Sequence, residues 1–206
     1  YLYFLMRELK KHKFTKVFDL QNSSRTNFYK SILFPKASHE IWSSSITTLP
    51  VGTKKDEFDK NSVLERFDHQ LQISGLNTLN TQSPDFSWAS SDISVIKNQY
   101  NLKKYILLFP FCSPHLANKK WPYYNELITL FSNKFGDDYK ILTAPGTDEI
   151  KDAKDINALA ILDNGRSLDI SQLTSLIRDS SFVVANDTGP AHIAAHVGAK
   201  GLTLFG

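Results

Sequence analysis

The sequence predicts an α/β protein built on parallel β-sheets. Helix and strand patterns alternate along most of the 206 residues, as they do where helices connect the strands of a parallel sheet. Near the C-terminus, the apolar run 182–185 leads into Asp-Thr-Gly and then directly into a helix that Pro190 opens and Gly198 stops. A polar segment at 77–91 separates this pattern into two parts.

The first part is predicted to alternate between helices and strands as far as the polar segment. Its predicted elements are a helix at 2–11, a strand at 16–20, a helix at 24–33, a short strand at 39–42, a loop at 50–54 and a long helix at 59–76. The long helix carries apolar residues on or near one face, namely Val63, Leu64, Phe67, Leu71 and Ile73. Gly75 lies near its end.

The second part continues the alternation. Its predicted elements are a strand at 105–109, a helix at 122–134, a strand at 139–143, a short helix after Gly146, a strand at 158–162, a helix at 171–179, the strand and helix already described, and a last strand at 202–205. Because the segment 77–91 is rich in Asn, Thr, Ser, Gln and Pro, we place the linker there and expect two domains, 1–95 and 96–206.

The composition is that of an ordinary globular protein, with 41% hydrophobic and 22% charged residues. The net charge of +3 is too small to indicate nucleic-acid binding. One cysteine, Cys112, excludes an internal disulfide and a multi-cysteine metal site. With no membrane-spanning run and no secretory signal pattern, we expect a cytoplasmic location.

Basic residues are concentrated near the N-terminus, at Arg7, Lys10, Lys11, Lys13 and Lys16. They would fit an anionic membrane surface or an acidic acceptor. The alternative is a solvated helix face.

The turn from 186 to 190 has the features of a phosphate-binding corner. Backbone N–H groups around Thr188 and Gly189, with the positive end of the helix dipole, would favour a pyrophosphate above the strand end. Gly189 would let ligand oxygens approach the backbone closely. The alternative is an ordinary turn in which Asp187 or Thr188 caps the helix.

The longer string resembles the C-terminal signature of glycosyltransferase family 9, the lipopolysaccharide heptosyltransferases. The matching residues are Asn186, Asp187, Thr188, Gly189, His192, Ala194, Ala195, Gly198, Leu204, Phe205 and Gly206. The resemblance implies the GT-B fold, with two Rossmann-like parallel-sheet domains facing a cleft. Both domains are expected to be incomplete in this chain, because family members carry an extra strand and glycine-rich loop upstream and further elements downstream.

Lys119-Lys120-Trp121-Pro122 resembles the Lys-x-Trp-Pro element of the family, whose lysine reaches the phosphates of the donor. The matching residue is Lys119, a compact charge suited to a leaving diphosphate. Taken alone, it would be a solvent-exposed loop lysine. The family often has small residues after the preceding strand, whereas this chain has the bulkier run 110–113.

Two further donor-side features follow from the resemblance. An acidic residue shortly after the glycine at 146 can hold the ribose hydroxyls, and both Asp148 and Glu149 are candidates; the alternative is that they favour a helix N-terminus. His192 would donate to a phosphate oxygen, or else make a structural hydrogen bond. A zinc site at His192 and His196 is rejected, because Ile193 stands where HExxH requires Glu.

On the acceptor side, the segment 17–21 with Ser24 and Arg25 resembles the Asp-x-Gln element of the family. Asp19 is expected at the cleft edge, and Arg25 matches a basic position that faces the anionic acceptor. A strand-ending Asp that caps the following helix is the structural alternative for Asp19.

The resemblance implies an inverting glycosyltransferase that moves a heptose or related sugar from an ADP-activated donor to the lipopolysaccharide inner core. Neither a cofactor nor a metal is expected, and peripheral contact with the inner membrane would follow from a membrane lipid as acceptor. The alternatives are a GT-B transferase or epimerase with a UDP or GDP donor, and a catalytically inactive binding or scaffold relative. In the family, the general base is an Asp in the upstream glycine-rich loop, which no residue here matches. We therefore expect this chain alone to bind nucleotide weakly and not to catalyse transfer.

Overall fold

A computed structural model describes residues 2–12, 14–34, 41–79 and 86–205. The chain divides into two compact units, Tyr1–Pro84 and Asp85–Gly206. Lys13, Gly206 and the predicted strand residues before 41 lie outside the described residues. The domain limits 1–95 and 96–206 stay a prediction, although Ile93 already packs in the core of the second unit.

The first unit contains a small parallel sheet and four helices among its described residues. The helices are α1 (Leu2–Lys11), α2 (Ser24–Leu33), α3 (Lys55–Phe58) and α4 (Val63–Ile73), and the strands are β1 (Val17–Phe18) and β2 (Trp42–Ser43). The strands pair in parallel, with Val17 beside Trp42. Buried Gln70 in α4 donates its amide N–H groups to the backbone oxygens of Asp19 and Ser43, which ties the two strand ends together.

The predicted helix at 59–76 is wrong at its start. The structure has the short helix α3 before it, and α4 begins only after Ser62. The Ser62 hydroxyl accepts the Glu65 N–H and the Glu65 carboxylate accepts the Ser62 N–H, a reciprocal cap that fixes the first turn. Gly75, at a positive φ of 86°, closes the other end near the predicted position.

The second unit is a five-stranded parallel sheet between two layers of helices. Its strands are β3 (Tyr105–Phe109), β4 (Lys140–Thr143), β5 (Leu159–Ala160), β6 (Phe182–Asn186) and β7 (Gly201–Leu204), in the order β5-β4-β3-β6-β7. Its α-helices are α5 (Ser94–Gln99), α6 (Tyr124–Phe135), α7 (Ile170–Arg178) and α8 (Gly189–His196), with a 3-10 helix at Pro114–Lys119. The predicted strands and the predicted helices at 122–134 and 171–179 are therefore confirmed, with shifts of a few residues at their ends. The short helix after Gly146 is a 3-10 helix, Thr147–Glu149.

The central strand β3 explains why the sheet is covered on both faces. All five of its residues are buried, and alternate side chains point to opposite faces. Leu107 and Phe109 pack with residues of α5, α7 and α8, whereas Ile106 and Leu108 pack with residues of α6. The sequence prediction missed α5. Its Ile96, and Ile93 directly before the helix, belong to the same core as Leu107 and Phe109.

The strand order indicates where a ligand would bind at the edge of the sheet. The chain runs outward from β3 through β4 to β5, and then returns to β6 on the other side of β3. Ligands of open parallel sheets bind beyond the carboxyl ends of the strands where the order reverses. In this unit that position lies beyond Phe109 and Asn186, the last residues of β3 and β6. The described ranges contain no apolar helix of the length that a membrane span requires.

Candidate functional site

The turn between β6 and α8 leaves two backbone amides available. Thr188 is the extended residue before the helix, with φ −144° and ψ 176°, and Gly189 and Pro190 open the first turn. Within the described part of the chain, no hydrogen-bond acceptor is found for the N–H of Thr188 or Gly189, whereas the N–H groups of Ala191 and His192 donate to the Thr188 carbonyl. The two amides stand at the positive end of the α8 dipole, where an anion is favoured.

Neither side chain of the turn caps α8. The Thr188 hydroxyl donates to the backbone carbonyl of Asn186 at 3.2 Å, and no side chain accepts from the first helical amides. The interpretation of Asp187 or Thr188 as a simple helix cap is therefore wrong. A side-chain cap would accept from the second or third helical residue, but Pro190 has no N–H and the Ala191 N–H donates to the Thr188 carbonyl. The amides that stay open to a ligand are those of Thr188 and Gly189.

Lys119 lies beside this turn. Its ammonium Nζ is 2.5 Å from Oδ2 of Asp187 and 3.4 Å from the Asp187 carbonyl oxygen, and both side chains are partly buried. The hydrogen bond from Lys119 is the main cause that lowers the pKa of the Asp187 carboxyl. Lys119 is thus not a free loop lysine, because the fold holds its charge against the end of β6.

Asn186 joins the two sequence motifs. It is fully buried at the end of β6, and its side-chain oxygen accepts the backbone N–H of Trp121 at 3.2 Å. The Tyr124 hydroxyl lies 3.2 Å from the same oxygen and 3.1 Å from the carbonyl oxygen of Phe109, so it can donate to either. Burial raises the pKa of the Tyr124 phenol, which stays a protonated donor.

A cavity of about 290 Å³ opens at the carboxyl ends of β3, β4 and β6. Its polar side is formed by Thr188, Gly189 and Glu149, and its other walls are largely apolar. The complete lining is Phe109, Phe111, Cys112, Ser113, Ala144, Pro145, Gly146, Glu149, Leu168, Leu173, Thr188, Gly189 and Pro190. An apolar pocket with a few convergent polar groups is the usual form of a small-molecule site.

The two acidic candidates after Gly146 differ in position. Glu149 lines the cavity, and its carboxylate accepts the Gly146 N–H at 2.8 Å. Asp148 is exposed and does not line it. Glu149 therefore combines a place in the pocket with the structural role of a cap on the short helix.

His192 and His196 occupy different surroundings, although they lie four residues apart on α8. His192 Nε2 is 3.8 Å from Oδ1 of Asp187 and its side chain is 72% exposed, so it borders the turn without being fixed by it. The ring of exposed His196 contacts the ring of Phe86, with 4.7 Å between centroids. No group of three or more His, Cys, Asp or Glu side chains placed to hold a metal occurs in the described ranges.

Asp19 and Arg25 belong to the first unit. Asp19 is 5% exposed, and its Oδ1 accepts the Asn22 N–H at 2.9 Å, so it closes a turn after β1. The cap of α2 is Ser23, which exchanges hydrogen bonds with Thr26, and the capping alternative for Asp19 is therefore wrong. Arg25 is exposed in the first turn of α2.

The sequence prediction missed several residues of the site. The sequence identifies Asn186 only as one residue of the family signature at 186–206. Its contacts with Trp121 and Tyr124 join positions 65 and 62 residues apart. Leu168 and Leu173, which the sequence prediction did not name, also line the cavity, together with Phe111 of the bulky run 110–113. The aromatic residues that follow Lys119 and Lys120 could have indicated Tyr124. No local pattern marks Leu168 or Leu173.

The fold is that of known sugar-transferring enzymes. It is similar to Escherichia coli heptosyltransferase WaaC with ADP-2-deoxy-2-fluoro heptose, at a TM-score of 0.60 and 16% identity over 97% of this chain and 64% of that one. WaaC with ADP gives a TM-score of 0.53 at 15% identity, over 96% and 64% of the two chains. A glycosyl transferase family 9 structure from Veillonella parvula gives 0.54 at 16% identity, over 69% and 43%. These likenesses confirm the predicted α/β class of the GT-B type.

The sequence places the chain within one family. The model of glycosyltransferase family 9 (heptosyltransferase) matches residues 2–206, and the chain belongs to this family. No curated protein matches it. The chain spans 64% of the length of WaaC.

Proposed function

We propose that the second unit binds the nucleotide diphosphate of an activated sugar, and that the protein transfers a heptose or related sugar from an ADP-type donor to the lipopolysaccharide inner core. The observation that carries this proposal is the position of Lys119 beside the open amides of Thr188 and Gly189. A positive charge and a helix N-terminus together suit a diphosphate. Family membership and the ADP compounds bound to WaaC support the same donor class.

The cavity suits the remaining parts of such a donor. Its apolar walls would cover a base, and the Glu149 carboxylate can accept from two vicinal ribose hydroxyls if it releases Gly146. Asp148 is the weaker candidate, because it does not line the cavity. His192, at the border of the turn, can reorient to donate to a phosphate oxygen.

The chemistry would be an inverting displacement at the anomeric carbon. The acceptor oxygen forms the new bond as the bond from that carbon to the diphosphate oxygen breaks, and the acceptor proton passes to a general base. Lys119, the two amides and the α8 dipole would stabilise the negative charge that develops on the leaving diphosphate. None of the described residues is assigned as the base.

The acceptor side of the proposal rests on the first unit. Exposed Arg25 could pair with an anionic acceptor, and Asp19 would order the turn before it. A lipid-linked acceptor implies contact with a membrane surface, which we place at the cytoplasmic face of the inner membrane. The basic residues Arg7, Lys10 and Lys11 of α1 are exposed and compatible with such a surface.

Competition binding tests the donor class. Titrating the chain with ADP, UDP and GDP against a fluorescent ADP analogue should show the tightest binding for ADP. Preference for UDP or GDP would assign the site to another nucleotide sugar. If none of the three displaces the analogue, the donor-site proposal is wrong. A radiolabelled-sugar transfer assay on the same preparation tests the expectation that this chain does not catalyse.

A further inference from the structure

One buried side chain, that of Asn186, connects the two chain segments that carry the charged pair Lys119 and Asp187. Asn186 directly precedes Asp187 in the chain, and its side-chain oxygen accepts the N–H of Trp121, two residues after Lys119. The Lys119 ammonium in turn contacts the Asp187 carboxylate and carbonyl. Asn186, Asp187, Lys119 and Trp121 therefore form a ring of contacts. One hydrogen bond and one ion pair join two short stretches of backbone, 119–121 and 186–187.

The surroundings of the Asn186 side chain indicate that its oxygen, and not its NH₂ group, makes the structurally important contact. Asn186 is fully buried, yet its Nδ2 has no hydrogen-bond partner within the part of the chain that the structure describes. An unpaired buried donor lowers stability. An apolar residue would avoid that cost, but it would leave the Trp121 N–H without its acceptor.

The segment that carries Lys119 has few other constraints. It belongs to a 3-10 helix in which Leu116 departs from helical geometry, with φ −120° and ψ 36°. Most of that helix is exposed. The end of the segment is tied to the sheet by the hydrogen bond from the Trp121 N–H to Asn186 and by the packing of the Trp121 side chain against the core that contains Ile106 and Leu108.

We propose that Asn186 is a positioning residue, which sets the Lys119 ammonium against the open amides of Thr188 and Gly189. The inference rests on the proposed donor site, and it assigns to Asn186 an effect that acts through Lys119 rather than by contact with a ligand. The Tyr124 hydroxyl supports the arrangement, since it lies within hydrogen-bond distance of the same Asn186 oxygen and of the Phe109 carbonyl and can donate to either.

A double-mutant cycle for ADP binding tests this coupling. Lys119→Ala should weaken ADP binding by about tenfold to hundredfold, and Asn186→Ala by about tenfold. In the Asn186→Ala background, Lys119→Ala should cost less than about threefold, because the lysine is no longer held in place. Additive losses would overturn the inference, since they would show that Asn186 supports the fold independently of Lys119.

A ligand-free measurement separates this inference from the donor-site proposal. Competitive labelling of amines, read by mass spectrometry, should show slow modification of Lys119 in the wild type and faster modification in Asn186→Ala. The exposed neighbour Lys120 serves as the internal control and should not change. If wild-type protein does not bind ADP, the donor-site proposal fails, and the labelling result still decides the role of Asn186. An unchanged Lys119 rate refutes that role.

The control variant is Asn125→Ala. The Asn125 side chain also joins two backbone groups, Asp155 O and Asn157 N–H, both at 2.9 Å, but away from the cavity lining. It should leave ADP binding and Lys119 labelling unchanged. If Asn186→Ala does not fold, hydrogen exchange of the Trp121 amide in the wild type replaces it. Protection of that amide is expected, and exchange at an unprotected rate would refute the proposal.

Discussion

Replacing Lys119 with methionine should weaken ADP binding by roughly tenfold to hundredfold. An ammonium has three N–H donors, and two of them have acceptors on Asp187, at 2.5 Å and 3.4 Å. One donor therefore remains for a phosphate oxygen. A hydrogen bond to a charged group contributes about 1.5–3 kcal/mol, and each 1.4 kcal/mol changes a dissociation constant about tenfold.

Two further effects act in the same direction. Without Lys119, the Asp187 carboxylate is left uncompensated beside the turn, and it would repel the diphosphate. Methionine keeps most of the length of the side chain, so the loss reports mainly the charge rather than packing. The predicted loss should also shrink as salt rises, because ions screen partly exposed charges.

The assay is titration calorimetry or NMR titration with ADP at millimolar concentration, with Lys120→Met as the matched control. Lys120 is exposed, and the control removes the same charge from the adjacent position. Melting curves for both variants establish that they are folded. Equal affinities for Lys119→Met and Lys120→Met would refute the assignment of Lys119 to the donor phosphates.

Three more predictions concern the same site. Because the folded pKa of Asp187 lies below its unfolded value of about 3.9, the ion pair stabilises the fold above that pH and is lost as the pH falls through the folded pKa. The melting temperatures of wild type and Asp187→Asn should therefore differ at neutral pH and converge in acid; a difference independent of pH would contradict this. A Cβ added at Gly189 would have no atom within 4 Å, so Gly189→Ala should leave the melting temperature equal or higher. The same substitution should weaken ADP binding several-fold, because the methyl group obstructs the close approach of a phosphate to the amides. Unchanged affinity would argue against a phosphate there. Glu149→Ala should weaken binding of ADP by about tenfold without affecting pyrophosphate, whereas Asp148→Ala should change neither; equal effects on both ligands would exclude a ribose contact.

Local patterns were sufficient for most of the second unit. The apolar run at 105–109 predicts a buried strand by itself, since five consecutive apolar residues fit a sheet that helices cover on both faces, and the structure has β3 at those residues. The turn from strand to helix at 186–190 was also predictable, because the Asp-Thr-Gly-Pro sequence opens a helix directly after a strand. Patterns failed where a cap decides the outcome, as at Ser62, which begins α4 inside a continuous helical periodicity.

The sequence by itself determined the α/β class, the family signature and the identity of most candidate residues, because these depend on periodicity and on motifs of adjacent residues. Only the tertiary structure decided which candidates meet. It placed the Lys119 ammonium on Asp187, brought Glu149 but not Asp148 into the cavity, and put Asn186 between the two motifs. The physical reason is that such contacts join residues up to 68 positions apart, and the order of strands in the sheet, which no local pattern encodes, sets their distance.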